Sequence, residues 1–243
     1  MKTETIQLTA DPNVTLMTYL HQPSEALPNM AARRAVLICP GGSYLYCSDR
    51  EGEPIALAFM AAGYQAFVLR YSVGEFAAFP RPLMDAENAL ELIRARAEEW
   101  QVDPGKIAAC GFSAGGHLAA ALGTMGRVRP NALILAYPCI LDSMSASLSK
   151  PIPSLEREVT SQTPPTFIWA TAADERVPVE NSLEFAAALN HARVPFEIHV
   201  FQNGAHGLAL ATHVTSAGQA HHVDADAAKW LDLCLAWLDH QFG

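Results

Sequence analysis

The sequence lacks the features that would indicate a membrane or a nucleic-acid partner. No stretch approaches the roughly 18 consecutive apolar residues of a membrane-spanning helix. The start, MKTETIQLTADPNVTLMTYL, alternates polar and apolar residues and has no apolar core of a secretion signal. Lysines and arginines form no cluster and the formal net charge is −9, which disfavours phosphate backbones and anionic lipids. These absences predict a soluble, cytoplasmic protein with a small-molecule substrate.

Cysteine is scarce, which argues against a disulfide framework. The odd number and scattered positions favour structural thiols over disulfides or a metal site; the five are Cys39, Cys47, Cys110, Cys139 and Cys234. The segment from His213 to Asp226 holds several potential metal donors, but it lacks the fixed spacing of a zinc site. We interpret that segment as a solvated loop, and the sequence predicts no metal and no cofactor.

Short apolar runs alternate with longer segments of helical character. The runs are RAVLIC (34–39), QAFVLRY (65–71), KIAACGF (106–112), ALILAYP (132–138), TFIWAT (166–171) and FEIHVF (196–201). This alternation predicts an α/β fold with a mostly parallel sheet between two layers of helices. ETIQL and VTLMTYL flank the turn DPN and predict an antiparallel hairpin before it. We expect residues 1–243 to form one domain, with 139–165 as loop and short helix over the cleft.

One serine lies among small residues in GFSAGGH, directly after an apolar run. The pattern Gly111-x-Ser113-x-Gly115 is typical of a strand-to-helix elbow that exposes a nucleophilic serine. Such a serine needs a histidine to accept its proton and a carboxylate to orient the histidine. Asp174 in ADERVP and His206 in QNGAHG each follow an apolar run, at the strand ends where parallel sheets bind ligands. The sequence therefore predicts a serine-hydrolase triad.

Glycines at a fourth strand end predict an oxyanion hole. PGGSY follows RAVLIC, and its glycines free the backbone to turn N–H groups inward. The amide of Ala114, next to the serine, would supply the other half of the hole.

These motifs resemble the α/β-hydrolase superfamily, and more narrowly the small bacterial lipase/esterase group that includes acetyl esterases and acetylxylan or feruloyl esterase-like domains. The similarity runs from about Ala35 to the last helix, through CPGGSYLYCSDREGEPIA, VLRYSV, GFSAGGHLAAAL, AYP, TAADERVPVENS and NGAHG. It implies an α/β-hydrolase fold without a large lid domain. It also implies a nucleophile, a base, an acid and oxyanion donors, which are respectively Ser113, His206, Asp174, and Ala114 with Gly42 or Ser43.

The sequence departs from related lipases in the oxyanion loop, where they carry His-Gly-Gly-Gly. This chain has PGGS at 40–43, so either Gly42 or Ser43 could donate the inward amide. Arg50 and Glu51 follow in SDREGEPIA, and we expect them to pair and brace this loop rather than to act in catalysis.

Two residues compete with members of the triad. His117 follows the elbow, and we interpret it as a packed or capping residue rather than a second base. Asp142 follows ALILAYP and is the alternative to Asp174 if that loop folds inward.

The predicted activity is hydrolysis of short-chain esters, with acetyl groups on sugars as the favoured substrates. Tyr44, Tyr46 and Tyr71 are predicted to present aromatic faces and hydroxyls to the alcohol part of the substrate. A peptidase of the same fold and a non-catalytic binding module are the alternatives. The natural acyl group, the alcohol and any homo-oligomer stay open.

Overall fold

An eight-stranded sheet organises the described chain. The computed structural model describes residues 1–148 and 150–243. The strands are β1 (Lys2–Gln7), β2 (Thr15–Leu20), β3 (Arg33–Cys39), β4 (Gln65–Arg70), β5 (Val102–Phe112), β6 (Ala132–Ala136), β7 (Thr166–Thr171) and β8 (Phe196–Phe201). Their order across the sheet is β1-β2-β4-β3-β5-β6-β7-β8. The β1–β2 and β2–β4 pairs are antiparallel, and the remaining pairs are parallel.

Every predicted run forms a strand, and the hairpin around DPN is confirmed. Strand β5 is longer than predicted, because it begins at Val102 rather than at Lys106. Val102 pairs with Arg33 at the start of β3, and the regular ladder resumes at Ala35 and Ile107 after a register shift. The extra pairing at the start of β3 therefore extends the strand beyond its apolar run.

Helices cover both faces of the sheet, as predicted. They are α1 (Glu53–Ala61), α2 (Arg81–Ala95), α3 (Ala114–Thr124), α4 (Ser145–Leu148), α5 (Glu180–His191) and α6 (Trp230–Phe242). Alternate strand residues point to opposite faces, so Leu37 belongs to the core on the side of α2, α3 and α5, while Val36 and Ile38 belong to the core on the side of α1 and α6. Over residues 1–148 and 150–243, no helix combines the length and apolar character that crossing a bilayer requires.

The segment 139–165 forms loop and short helix, as predicted, apart from Ser149, which lies outside the described residues. It contains α4 and two 3₁₀ turns, at Asp142–Met144 and Leu155–Glu158. The side chain of Asn181 on α5 accepts hydrogen bonds from the amides of Ile140 and Leu141. Several apolar side chains of the segment 139–165 are buried in the core; they include Met144, Leu148, Ile152 and Leu155. The segment is thus tied to the helical layer beside the strand ends.

Candidate active site

Ser113 occupies a sharp turn between β5 and α3. Its backbone has φ 53° and ψ −118°, a left-handed conformation that is strained for a residue with a side chain. Two glycines allow α3 to start so close to the sheet. A Cβ on Gly111 would lie 2.1 Å from the carbonyl oxygen of Gly115, and one on Gly115 would lie 2.0 Å from that of Cys39. The small residues of GFSAGGH therefore serve the tight packing that presents Ser113 at the strand ends.

The structure brings Ser113, His206 and Asp174 together in a hydrogen-bonded chain. Ser113 Oγ lies 2.8 Å from His206 Nε2, and His206 Nδ1 lies 2.6 Å from Asp174 Oδ2. These residues come from three loops that follow β5, β7 and β8, so the parallel sheet places them at one edge. They have the mutual geometry of a nucleophile, its base and the group that orients the base.

Asp174 is held in a single orientation. Its Oδ1 accepts hydrogen bonds of 2.9 Å from the amides of both Arg176 and Val177, which leaves Oδ2 for the histidine. The Asp174 side chain is only 1% exposed and that of His206 is 15% exposed. Because a carboxylate only accepts hydrogen bonds, His206 Nδ1 carries the proton and Nε2 is free to accept from Ser113. The site is therefore arranged to remove the serine proton.

The predicted oxyanion loop, residues 40–44, adopts a strained backbone beside Ser113. Gly42, Ser43 and Tyr44 all have positive φ, at 131°, 56° and 59°. A Cβ on Gly42 would lie 2.0 Å from the carbonyl oxygen of Tyr46, so only glycine fits there. Within the described chain, the amides of Gly42, Ser43 and Ala114 donate to no protein acceptor. All three predicted donors are thus available, and the choice between Gly42 and Ser43 stays open.

Arg50 braces the site, but the expected pairing with Glu51 is wrong. Its guanidinium donates to the carbonyl oxygens of Gly207 at 2.6 Å and Thr215 at 2.5 Å. Gly207 directly follows His206, so Arg50 fixes the loop that carries His206. The two neighbouring side chains diverge because each has backbone partners on a different loop.

Glu51 is buried between two loops instead. Its Oε2 accepts from the amide of Gly41 at 2.8 Å, and its Oε1 accepts from the hydroxyl of Tyr137 at 2.7 Å. Tyr137 in turn accepts from the amide of Ala209 at 2.9 Å, and its ring packs edge-on to His206 with centroids 5.1 Å apart. Burial and the charge of Glu51 raise the pKa of Tyr137 well above its usual value, so the phenol keeps its proton.

The sequence reasoning assigned Tyr137 no role. A polar residue directly after a strand, here β6, was the available signal, because such residues lie at the edge where the triad assembles.

Two of the three tyrosines predicted to contact substrate do not face the site. Tyr44 and Tyr71 are 2% and 1% exposed. The hydroxyl of Tyr71 donates to the carbonyl oxygen of Pro40, and that of Tyr44 bonds to His117. Their rings fill the core under the oxyanion loop, which corrects the prediction. Tyr46 is 60% exposed, so this side chain alone of the three is accessible.

His117 is a packed residue, as the sequence predicted. It is fully buried, with Nδ1 2.8 Å from the Tyr44 hydroxyl and Nε2 3.1 Å from the carbonyl oxygen of Pro153. Burial lowers the pKa of His117 to about 4, so its ring is neutral near pH 7. It has no contact with Ser113 Oγ that would make it a second base.

Neither Asp142 nor Cys139 competes within the triad. Asp142 is exposed and pairs with Arg157 at 3.0 Å. The amide of Cys139 donates to the carbonyl oxygen of Ser113, but burial raises the pKa of its thiol to about 12. The thiol therefore stays protonated and is no rival nucleophile.

The segment from His213 to Asp226 borders a cleft beside His206. Within residues 1–148 and 150–243, no group of three or more His, Cys, Asp or Glu side chains has a metal-binding arrangement. His213, His221 and Asp226 are exposed. The cleft has a volume of about 510 Å³, and its lining includes His206, Glu175, Arg176, His221 and Asp224. Sequence reasoning did not identify this cleft, because three separate loops form it.

Known proteins are similar to this chain in both sequence and fold. The BD-FAE family model matches residues 27–133, and the prolyl oligopeptidase family model matches residues 142–243. An acetylxylan esterase of Xylanibacter ruminicola is 30% identical over 76% of this chain and 43% of its own length. The chain spans less than half the length of the curated relatives that it matches.

Solved structures match almost end to end. MGS-M1, an α/β-hydrolase enzyme from a Medee basin deep-sea metagenome library, is 44% identical with a TM-score of 0.95, over 99% of this chain and 98% of that one. The carboxylesterase Cest-2923 of Lactobacillus plantarum is 31% identical with a TM-score of 0.91, over the same shares. The chain therefore belongs to the α/β-hydrolase family, as an esterase-like member.

Proposed function

We propose that the protein is a serine carboxylesterase that cleaves short-chain esters, with acetyl groups on sugars as its substrates. The observation that carries this proposal is the continuous chain from Ser113 Oγ through His206 to Asp174, with 2.8 Å and 2.6 Å between the bonded atoms. The esterase relatives support the same reaction class.

Acylation begins when Ser113 Oγ attacks the acyl carbon of the ester. His206 Nε2 takes the serine proton, and Asp174 stabilises the imidazolium that forms. The carbonyl oxygen becomes an oxyanion, which the amide of Ala114 and that of Gly42 or Ser43 stabilise. His206 then gives the proton to the alkoxide oxygen, so the alcohol leaves and the acyl group stays on Ser113.

Deacylation repeats these steps with water. His206 Nε2 takes a proton from a water molecule, whose oxygen attacks the acyl carbon, and the second tetrahedral intermediate uses the same amides. Its collapse returns the proton to Ser113 Oγ and releases the carboxylic acid. Every proton transfer passes through His206 Nε2, and water supplies the second nucleophile. The proposed reaction therefore needs no cofactor.

Two features support a small acyl group and a polar alcohol. The apolar side chains of segment 139–165 are turned into the core, so they do not line an acyl channel. His206 protonates the leaving oxygen, so the alcohol departs beside the cleft that His206 lines. Arg176, His221 and Asp224 edge that cleft and can hydrogen bond to hydroxyl groups. The exposed ring of Tyr46 offers an additional aromatic surface.

A substrate series tests the proposal. We expect kcat/KM on p-nitrophenyl esters to be greatest between acetate and butyrate, and acetylated xylo-oligosaccharides to be deacetylated. Ser113→Ala is the matched control for uncatalysed hydrolysis. A maximum at eight carbons or longer contradicts the short-chain assignment. Activity on acetate esters with none on any acetylated saccharide contradicts the sugar assignment.

A peptidase is the second candidate, because the prolyl oligopeptidase model matches residues 142–243. Peptide p-nitroanilides distinguish the two, since a kcat/KM above that for p-nitrophenyl acetate would favour the peptidase.

A fluorophosphonate probe separates both enzymes from a binding module. Folded wild-type protein whose Ser113 resists labelling would support the binding module. The cytoplasmic location stays a prediction.

A further inference from the structure

We propose that Glu51 is a positioning residue of the active site: its carboxylate holds the oxyanion loop at Gly41 and, through Tyr137, the loop that carries His206. This inference rests on the proposed function, because it concerns how the same site is kept in register. The loop at Gly41 and the loop that carries His206 must act on the same acyl group, although they lie far apart in the sequence. Glu51 contacts the first loop through the amide of Gly41 and the second loop through the hydroxyl of Tyr137.

The burial of Glu51 argues that it does more than fill space. Glu51 is only 4% exposed. Over residues 1–148 and 150–243, it forms no ion pair with a basic side chain. A buried carboxylate without a cation is unfavourable compared with an apolar side chain of similar size. The charge is therefore better explained by what its two oxygens hold than by stability.

The hydrogen-bond pattern requires an acceptor at each side-chain oxygen of Glu51. The amide of Gly41 must donate to one oxygen of Glu51. The hydroxyl oxygen of Tyr137 already accepts from the amide of Ala209, so its hydrogen points to the other oxygen of Glu51. Both oxygens must then be acceptors, and a glutamine offers only one acceptor with a donating NH₂ group. A glutamine that keeps the Gly41 bond turns its NH₂ group to Tyr137, which reverses that bond and removes the acceptor of the phenol hydrogen. A glutamine turned the other way loses the Gly41 bond.

Both bonds end beside the reacting groups. A Cβ on Gly41 would lie 3.0 Å from the Ser113 Cβ, which places this backbone directly against the nucleophile. Gly41 also precedes Gly42 and Ser43, whose amides are the proposed oxyanion donors. At the other end, the Tyr137 ring packs edge-on to His206. A break at either end lets one half of the site move relative to the other.

Glu51→Gln is the central test, because it changes the acceptor pattern and little else. We expect kcat for p-nitrophenyl acetate to fall about 10- to 100-fold with KM changed less than about threefold, since misplacement by about 1 Å costs up to 10²-fold. The affinity of a boronic acid that forms a tetrahedral adduct with Ser113 should fall by a similar factor. A residue that only stabilised the fold would not weaken this adduct in folded protein.

Tyr137→Phe tests the other end of the contact and covers the case in which Glu51→Gln does not fold. It removes the hydroxyl but keeps the ring on His206, and we expect the same loss of kcat and of boronic acid affinity. The double variant should lose no more than either single variant, because both break one connected unit. Additive losses in the double variant would overturn the proposal.

Glu87→Gln is the matched control. Glu87 is also buried, at 7% exposed; it accepts from the amide of Arg127 at 2.6 Å and pairs with the Arg127 guanidinium at 3.4 Å, so its partners lie outside the site loops. We expect it to lower the melting temperature and to leave kcat within about twofold, since it holds no site loop. A Glu51→Gln variant with wild-type kcat and boronic acid affinity would overturn the proposal. An inactive wild-type protein whose Ser113 resists the fluorophosphonate probe would instead overturn the proposed function, and this inference with it.

Discussion

Replacement of Asp174 by asparagine should inactivate the site through the tautomer of His206. Asp174 Oδ1 accepts from the amides of Arg176 and Val177. Asparagine keeps those two bonds only if its oxygen takes the place of Oδ1, which points its NH₂ group at His206 Nδ1. The histidine must then accept at Nδ1 and carry its proton on Nε2. In that form it cannot remove the proton of Ser113.

The structure also sets the size of the loss. Turning the asparagine to restore the active tautomer sacrifices two amide bonds, worth about 1 to 1.5 kcal/mol each. A difference of about 2 to 3 kcal/mol leaves roughly 0.6 to 3% of molecules competent, which is a loss of about 10². Removal of the charge that stabilises the imidazolium adds a comparable factor, so kcat should fall about 10⁴-fold.

Steady-state kinetics on p-nitrophenyl acetate check this prediction, with circular dichroism to verify folding. Asp142→Asn is the matched control, because Asp142 is exposed and bonds to Arg157. We expect that control to keep its activity within about twofold, in line with ordinary surface substitutions. Near-wild-type turnover in Asp174→Asn beside an inactive Asp142→Asn would refute this reasoning.

Three further predictions concern the nucleophile, acid stability and metals. Ser113→Ala and His206→Ala should each lower kcat about 10⁵- to 10⁶-fold with the fold retained, and activity within tenfold of wild type in either would exclude the triad. The His117 pKa of about 4 lies below its ordinary 6.5, so the unfolded chain binds the extra proton and stability falls as pH drops from 6.5 to 4. Urea unfolding should show a loss of about 3 kcal/mol from this residue, and a smaller pH dependence in His117→Gln. EDTA should leave the rate unchanged, and a loss that zinc restores would contradict the metal-free reaction.

The strands, the elbow and the chain order of the triad residues could be predicted from residue types and spacing. Short apolar runs that alternate with helical segments are typical of a parallel sheet covered by helices, so six such runs predicted β3 to β8. The glycines around Ser113 predicted a sharp turn between a strand and a helix, and Ser113 with its positive φ occupies that turn between β5 and α3. These features are local, since each follows from the neighbours of a residue in the chain.

The surroundings of those residues depend on contacts between distant parts of the chain. The sequence predicts that Tyr44 and Tyr71 contact the substrate, yet packing under the oxyanion loop buries both. Arg50 and Glu51 are adjacent, but Arg50 bonds to the loop after β8 and Glu51 bonds to Tyr137 after β6. Residue types and spacing cannot distinguish a side chain that faces a cleft from one that faces the core one strand away. That choice depends on long-range contacts, which exist only after the sheet has brought its strand ends together.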